Sequence, residues 1–444
     1  VSAARLLIPI LLNFSWLSGW PSLLGAGELI ILDPPQVALV TTDQAPVMAG
    51  DELIARAARG DTVTLIRAND NWRYSPQLKG WVHLRDLLPL DRAVPVLSEQ
   101  IAREPTAVAY QLRGIARMNL QEWGPAAQDF EQAYDLGESA PNLHHNLAVC
   151  YERLGKPEAA LEEYDSILNA FPDEFPSRMG RGNLLLRQGQ VQAALRDLSE
   201  AVALNPQSAD AYNSMGIALR SLHRYPEAID AYSEALKRDA RRADALGNRG
   251  YCQKQLGNSH DALNDFEAAL ELSPRSLSLR NDLAWLLATS PVDSVRNSNR
   301  AVALAEAICA ETENQNGDFL DTLAAAYASA GRFSAAEEAV KLAIQKFGTS
   351  REANAARERL QSYQNKTAFI EKPAAVPPAA SPADAPADTS AGVASPAGAA
   401  PEMPDPATSD IPKTSGTEKS ADSEKTQADP GQNSSTEKPA GASE

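Results

Sequence analysis

The chain has 444 residues, 43% hydrophobic and 22% charged, with 41 Lys and Arg against 58 Asp and Glu and a formal net charge of -17. That composition does not suit a multi-pass membrane protein, and the acidic balance argues against nucleic acid as a partner, because phosphate binding needs clustered cations. Three cysteines (Cys150, Cys252 and Cys309) form no C-x-x-C pair, and the five histidines show no H-x-x-x-H spacing, so neither a disulfide framework nor a zinc motif is expected.

The first element in chain order is an apolar leader. Arg5 is followed by LLIPILLNFSWLSGWPSLLGAG, with no charge before Glu28. Residues 1–27 therefore read as a signal peptide, with Gly25-Ala26-Gly27 as small residues for cleavage, or as an uncleaved N-terminal anchor. Pro9, Asn13 and Pro21 weaken the anchor. The leader lacks cysteine, which excludes a lipoprotein, and the chain opens on Val1. The expected location is exported: periplasm or cell envelope, with the membrane as a partner only if the leader stays attached.

Residues 32–90 read as a small β-barrel. VALV, ELIARA, TVTLIRA, NWRYS and GWVHL are branched and aromatic runs, broken at Gly50-Asp51, Gly60-Asp61, Asn69-Asp70-Asn71 and Lys79-Gly80. Gly60 before TVTLI, then Trp72, then Gly80-Trp81-Val82, resembles the bacterial SH3-like domain. The resemblance implies a ligand platform at Trp72 and Trp81 for a peptide or cell-wall component. The other reading packs both rings into the barrel or its hairpin.

From Asp91 the pattern turns helical and repeats at a lag of 34 residues. Gly114, Ala148, Gly182, Gly216, Gly250 and Ala284 form one series. Phe130, Tyr164, Leu198, Tyr232 and Phe266 form another, flanked by alanines at 126, 160, 194, 228 and 262. Small residues let two helices cross closely, and the bulky residue fills the space between neighbouring units. This pattern resembles the tetratricopeptide repeat, and the resemblance implies a mainly α fold: a right-handed solenoid of about seven helix-turn-helix units. The units fall at 107–140, 141–174, 175–208, 209–242, 243–276, 277–316 and 317–350, with capping helices at 91–106 and 351–365. The sixth carries an insertion, TSPVDSVRNSNR. Its sequence NDLAWLLATSPVDSVRNSNRAVALAEAIC followed by FLDTLAAAYASAGRF resembles a variant repeat pair of bacterial, planctomycete-type exported proteins. Residues 366–444 are rich in Ala, Pro, Ser and acids and read as a disordered tail, acting either as a spacer or as a segment that docks in the chain's own groove.

No phosphate loop, nucleophile elbow or cofactor motif is present, and the expectation is a non-enzymatic scaffold without cofactor or metal. His144-His145 cannot readily share a metal, because adjacent helical residues point about 100° apart. Glu162-Glu163 and Glu337-Glu338 read as solvated surface, and the cysteines as buried structural thiols. In the repeat family the first helix of each unit lines a concave groove, which here implies His145, Arg153, Asn183, Arg187, Asn213, Arg220, Tyr251 and Lys254 as candidate peptide contacts. Arg153, Arg187, Arg220 and Lys254 recur at or next to one place in four units. They make either a basic stripe for an extended acidic segment or only last-turn cations offsetting helix dipoles. The carboxylate clamp of chaperone-binding relatives is missing, since its places hold residues such as Met179, Ser214 and Asp244. The expected partner is a protein or peptide. Alternative roles are a subunit that regulates or assembles an envelope enzyme complex, or, more remotely, an enzyme such as the repeat-containing glycosyltransferases.

Overall fold

The computed structural model describes residues 30–373; the leader and the tail from residue 374 onward lie outside the described residues. The chain opens with seven strands: β1 (Ile30–Val40), β2 (Ala45–Ala49), β3 (Glu52–Ala57), β4 (Thr62–Asn69), β5 (Trp72–Ser75), β6 (Gly80–His83) and β7 (Leu87–Pro89). All pairings are antiparallel, in the order β3-β2-β6-β5-β4-β1-β7. Alternation along β4 buries Val63 and Leu65 and turns Thr64 away, as a half-buried strand requires. The sheet curls on itself: Ala57 near one edge and Leu87 at the other join Val40, Val47 and Val82 in one apolar cluster.

Two of these strands have little signal in the sequence. β2 is five residues interrupted by Pro46, and β7 is three residues that run directly into a helix. A proline within a run and an apolar stretch continuing into a helical period both mask a strand.

Sixteen α-helices follow among the described residues. A first, α1 (Leu90–Arg103), caps the array. Seven helix pairs come next: α2 (Ala107–Asn119) with α3 (Trp123–Asp135), α4 (Pro141–Arg153) with α5 (Pro157–Ala170), α6 (Phe175–Arg187) with α7 (Val191–Leu204), α8 (Ala209–Ser221) with α9 (Tyr225–Arg238), α10 (Ala243–Gln255) with α11 (Ser259–Leu272), α12 (Leu277–Thr289) with α13 (Ser298–Glu311), and α14 (Gly317–Ser329) with α15 (Phe333–Phe347). A last helix, α16 (Arg351–Gln364), closes the series. Thr106, Ser208 and Ser276 cap their helices through side-chain oxygens, each satisfying one N-terminal amide. Leu39 of β1 packs with Leu97, Leu112 and Ile115, so the sheet and the first repeats share a core.

Within each pair the small residue of the first helix meets the bulky residue of the second. A Cβ added at Gly216 would lie 2.6 Å from a ring carbon of Tyr232, whose side chain is fully buried. Gly114 faces Phe130 and Gly182 faces Leu198 in the same way. Gly216→Val is expected to cost about 2 kcal/mol through forced separation of α8 and α9. A urea midpoint that does not move would show that this crossing yields freely.

The sixth pair departs from the others. Its helices are joined by residues 290–297 instead of a tight turn, with Val295 buried and Arg296 donating to the Ser290 carbonyl at 2.7 Å. The carbonyl of Thr289, at the end of α12, is thereby left to a partner from elsewhere in the chain.

Candidate functional site

That partner is Glu371. α16 ends in a turn in which the Lys366 amide donates to Tyr363 at 2.9 Å and the Thr367 amide to Ser362 at 2.9 Å. Lys366 takes a positive φ of 54°, and the chain reverses direction there. Residues 367–373, inside the stretch whose composition reads as a disordered tail, then run back along the first helices. The Glu371 amide donates to the Thr289 carbonyl at 2.8 Å. Its carboxylate accepts from Lys254 Nζ at 3.2 Å on one oxygen and from Trp285 Nε1 at 2.7 Å on the other. Phe369 tilts against Trp285 with ring centroids 5.9 Å apart. The Arg359 guanidinium lies 5.5 Å from the Trp285 centroid and 5.6 Å from that of Phe369. Arg359 is itself held by Asp321, which accepts its Nε at 2.9 Å. Pro373 reaches Gly257 in the turn between α10 and α11.

Beside this contact an open cavity of about 460 Å³ is lined by Arg220, Asp244, Asn248, Tyr251, Ser276 and Asp282. The two carboxylates in it differ. Burial works against ionisation of Asp244, but hydrogen bonds from Arg242 outweigh it and hold the group below the usual range. Burial pushes Asp282 up to about 6, with Lys254 and Arg220 opposing and Glu371 reinforcing the shift. Tyr251 lies between two cations, with Arg220 5.3 Å and Lys254 5.2 Å from its ring centroid.

Arg153 stacks over Trp123 at 5.3 Å, and Arg187 pairs with Glu152 of the preceding unit. His145 sits 3.2 Å from the Ser177 hydroxyl, and burial lowers its pKa against the pull of Glu174 and Glu152. Asn213 is buried and donates to Asp244 of the next unit at 3.1 Å, while its own carbonyl oxygen has no hydrogen-bond partner among the described residues. Asn183 is half-buried on α6. The cationic row is thus met in different ways along its length, and at Lys254 it receives a carboxylate from an extended segment. His144 turns instead to Glu163 at 2.7 Å. Cys150, Cys252 and Cys309 are free and buried, and burial pushes their thiols up to about 12, 12 and 11. Among the described residues no group of metal-ligating side chains converges, and no helix is long and apolar enough to cross a membrane.

On the sheet, Trp72 pairs across the ladder with His83, and Tyr74 with Trp81. Alternation puts all four on the face opposite Val82, and both pairs meet edge to face, at 5.1 and 5.4 Å. Trp81 is 6% exposed and covered, whereas Trp72 is half-buried.

One set of residues escaped the sequence reading. Arg113, Arg181 and Arg249 recur every second unit, and each forks onto an aspartate of its own second helix, Asp129, Asp197 and Asp265. Each also reaches back to the preceding unit, to Ser98, Asp165 and Ser233 respectively. A lag of 68 residues was the signal.

The sequence profile of the tetratricopeptide repeat matches residues 112–175, 179–243 and 213–256, and a second profile of the same description matches 243–276. The human FK506-binding protein-like protein is 31% identical over 74 residues, covering 17% of this chain and 21% of that protein. Mouse sperm-associated antigen 1 is 29% identical over 83 residues, or 19% of this chain and 9% of that protein. The chain therefore spans only a small part of either curated relative. Among solved structures, a MamA fragment from Desulfovibrio magneticus RS-1 is 21% identical with a TM-score of 0.36, covering 38% of this chain and 95% of that one. Pseudomonas aeruginosa PilF is 15% identical with a TM-score of 0.42, covering 48% and 94%.

Proposed function

We propose that the first-helix face holds an extended, acidic segment of a partner protein, since the tetratricopeptide repeats matched within residues 112–276 are units that serve in general as protein-interaction scaffolds. The observation that carries this reading is the carboxylate of Glu371, shared between Lys254 and Trp285 on first helices of adjacent units. A charge-assisted bond to a mostly buried ammonium is about twice as strong as a neutral one. The neighbouring cavity bounded by Arg220 and Tyr251 gives room for a ligand longer than the seven residues that lie there from this chain. The apolar leader supports placement in the cell envelope. The outer aromatic strip at Trp72 and Tyr74 supplies a second contact surface, suited to a peptide or cell-wall component and in keeping with the SH3-like resemblance.

The test is an array of short synthetic peptides of graded charge, probed with the full-length chain. Acidic peptides are expected to be retained over basic ones. Arg187→Glu, Arg220→Glu and Lys254→Glu together are expected to cut retention at least ~10-fold, with a strong dependence on salt. Retention that ignores peptide charge, or survives the triple reversal, would sink the reading.

A further inference from the structure

We infer that Lys254, Trp285 and Arg359 form a specific pocket for an aromatic–any–glutamate sequence, and that Phe369-Ile370-Glu371 is its resident occupant, which a partner segment of the same chemistry must displace. The inference rests on the reading of the first-helix face as a peptide site and adds the ligand's sequence and the competition.

The geometry fixes each ligand position. The two carboxylate oxygens take donors of different kinds, an ammonium at 3.2 Å and an indole N–H at 2.7 Å. An indole N–H donates along one line in the ring plane, so the carboxylate must arrive at a set depth. A side chain one methylene shorter, aspartate, falls short of it when the backbone stays on Thr289. Two residues earlier, a flat ring is wanted. The Arg359 guanidinium stands at similar distances from Phe369 and Trp285, and Asp321 fixes its orientation. Ile370, between the two anchors, is 39% exposed and contributes no polar side-chain contact, so that position is free. The backbone bond from the Glu371 amide to the Thr289 carbonyl uses an acceptor opened by the insertion after α12, and it reads any residue.

The resident segment is held by the bonds of Glu371, by Ala368 and Phe369 packed against the core and by Pro373 at Gly257, and it is joined to the array by a short tether. Beyond Glu371, Lys372 and Pro373 are exposed. The tether is the turn at Lys366, immediately after α16, which keeps the segment at a high effective concentration over the pocket. Such tethering raises the apparent dissociation constant of any competitor by the factor of self-occupancy. The site is therefore closed toward weak ligands and opens to a partner that carries the same sequence at high local concentration, or that also engages the adjoining cavity at Arg220.

The experiment uses the full-length chain and a fluorescent peptide of the sequence NKTAFIEKP, copied from residues 365–373. Native chain is expected to bind it weakly. Glu371→Ala, which removes the resident carboxylate, and Lys366→Pro, which cannot take the positive φ of the turn, are each expected to bind it roughly 10- to 100-fold more tightly. Adding Lys254→Glu to Glu371→Ala is expected to abolish that gain, as is replacing the peptide's glutamate by aspartate or its phenylalanine by alanine. Equal, tight binding by native chain and both released variants would overturn the displacement while leaving the wider reading of the face intact. Failure of both released variants to bind, with their helical circular dichroism unchanged, would overturn the pocket's assignment. Charge-selective retention on the peptide array would then still distinguish that loss from failure of the wider reading.

Discussion

Asp197→Ala is expected to destabilise the array by about 3 kcal/mol, whereas Arg181→Met combined with Asp197→Ala is expected to restore most of that loss. Asp197 is 5% exposed and accepts two hydrogen bonds from Arg181, each 2.7 Å long. Removing the carboxylate alone leaves a guanidinium between α6 and α7 with half its partners gone, and breaking a buried pair from one side costs about 3–5 kcal/mol. Asp165, 2.6 Å from Arg181 but largely exposed, offsets part of this and sets the expectation at the lower end. Replacing both partners by apolar groups removes the desolvation cost together with the attraction. The chain already contains that solution one unit on: Met215 and Ala231 stand where Arg181 and Asp197 do, and both pack in the apolar cluster around Tyr232. Urea midpoints of the two single variants and the double variant measure the coupling. Additive effects would show that the fork acts as two independent charges and does not join α6 to α7.

The same pair shows where sequence reasoning succeeds and where it stops. The lag of 34 residues is legible because every unit must solve one packing problem with one small and one bulky residue, and hydrophobic contacts of that kind admit few alternatives. The Arg–Asp fork recurs only in alternate units, and its charges look like those of any solvated helix face until the structure shows Asp129 and Asp197 buried. Among the candidate groove residues, Lys254, Tyr251 and Arg220 were within reach because their positions follow from the repeat. Trp285 was not, although it sits on the first helix of the sixth unit. Its role depends on an acceptor 86 residues later in the chain, and no local pattern reports such a pairing. Docking of the tail in the chain's own groove is one of the two readings its composition allows, but where the segment returns is hidden for two further reasons. The turn that launches it carries Lys366 in the left-handed region where glycine would mark it, and the residues beyond it have the composition of a tail. Asn213 illustrates the opposite error of emphasis. A polar residue at a groove position invites a ligand, but here its amide joins unit four to Asp244 of unit five.

Asp282→Asn is expected to raise stability by about 2–3 kcal/mol at pH 8 and to change it little at pH 4. The side chain lies on α12 beside the cavity, and burial pushes its pKa from the usual 3.8 up to about 6. Between about pH 4 and pH 6 the folded chain keeps a proton that the unfolded chain has released. Stability therefore falls as pH rises through that window and stays lower above it; each tenfold difference in proton affinity between the folded and unfolded chain is worth about 1.4 kcal/mol. Asparagine removes the ionisation and with it the loss. The groups around Asp282 that bear on this balance are Lys254 and Arg220, which favour the charged form, and Glu371, which opposes it. Because Glu371 and Asp282 repel when both are charged, docking of the glutamate and protonation of Asp282 must favour one another to the same extent. Binding of the NKTAFIEKP peptide to the Glu371→Ala chain is accordingly expected to tighten several-fold from pH 8 to pH 5.5, while the ligand's own glutamate remains ionised. In the chain carrying both Glu371→Ala and Asp282→Asn that pH dependence is expected to vanish. Equal pH profiles with and without Asp282 would place the titrating group elsewhere and sever the link between the cavity and the segment that lies beside it.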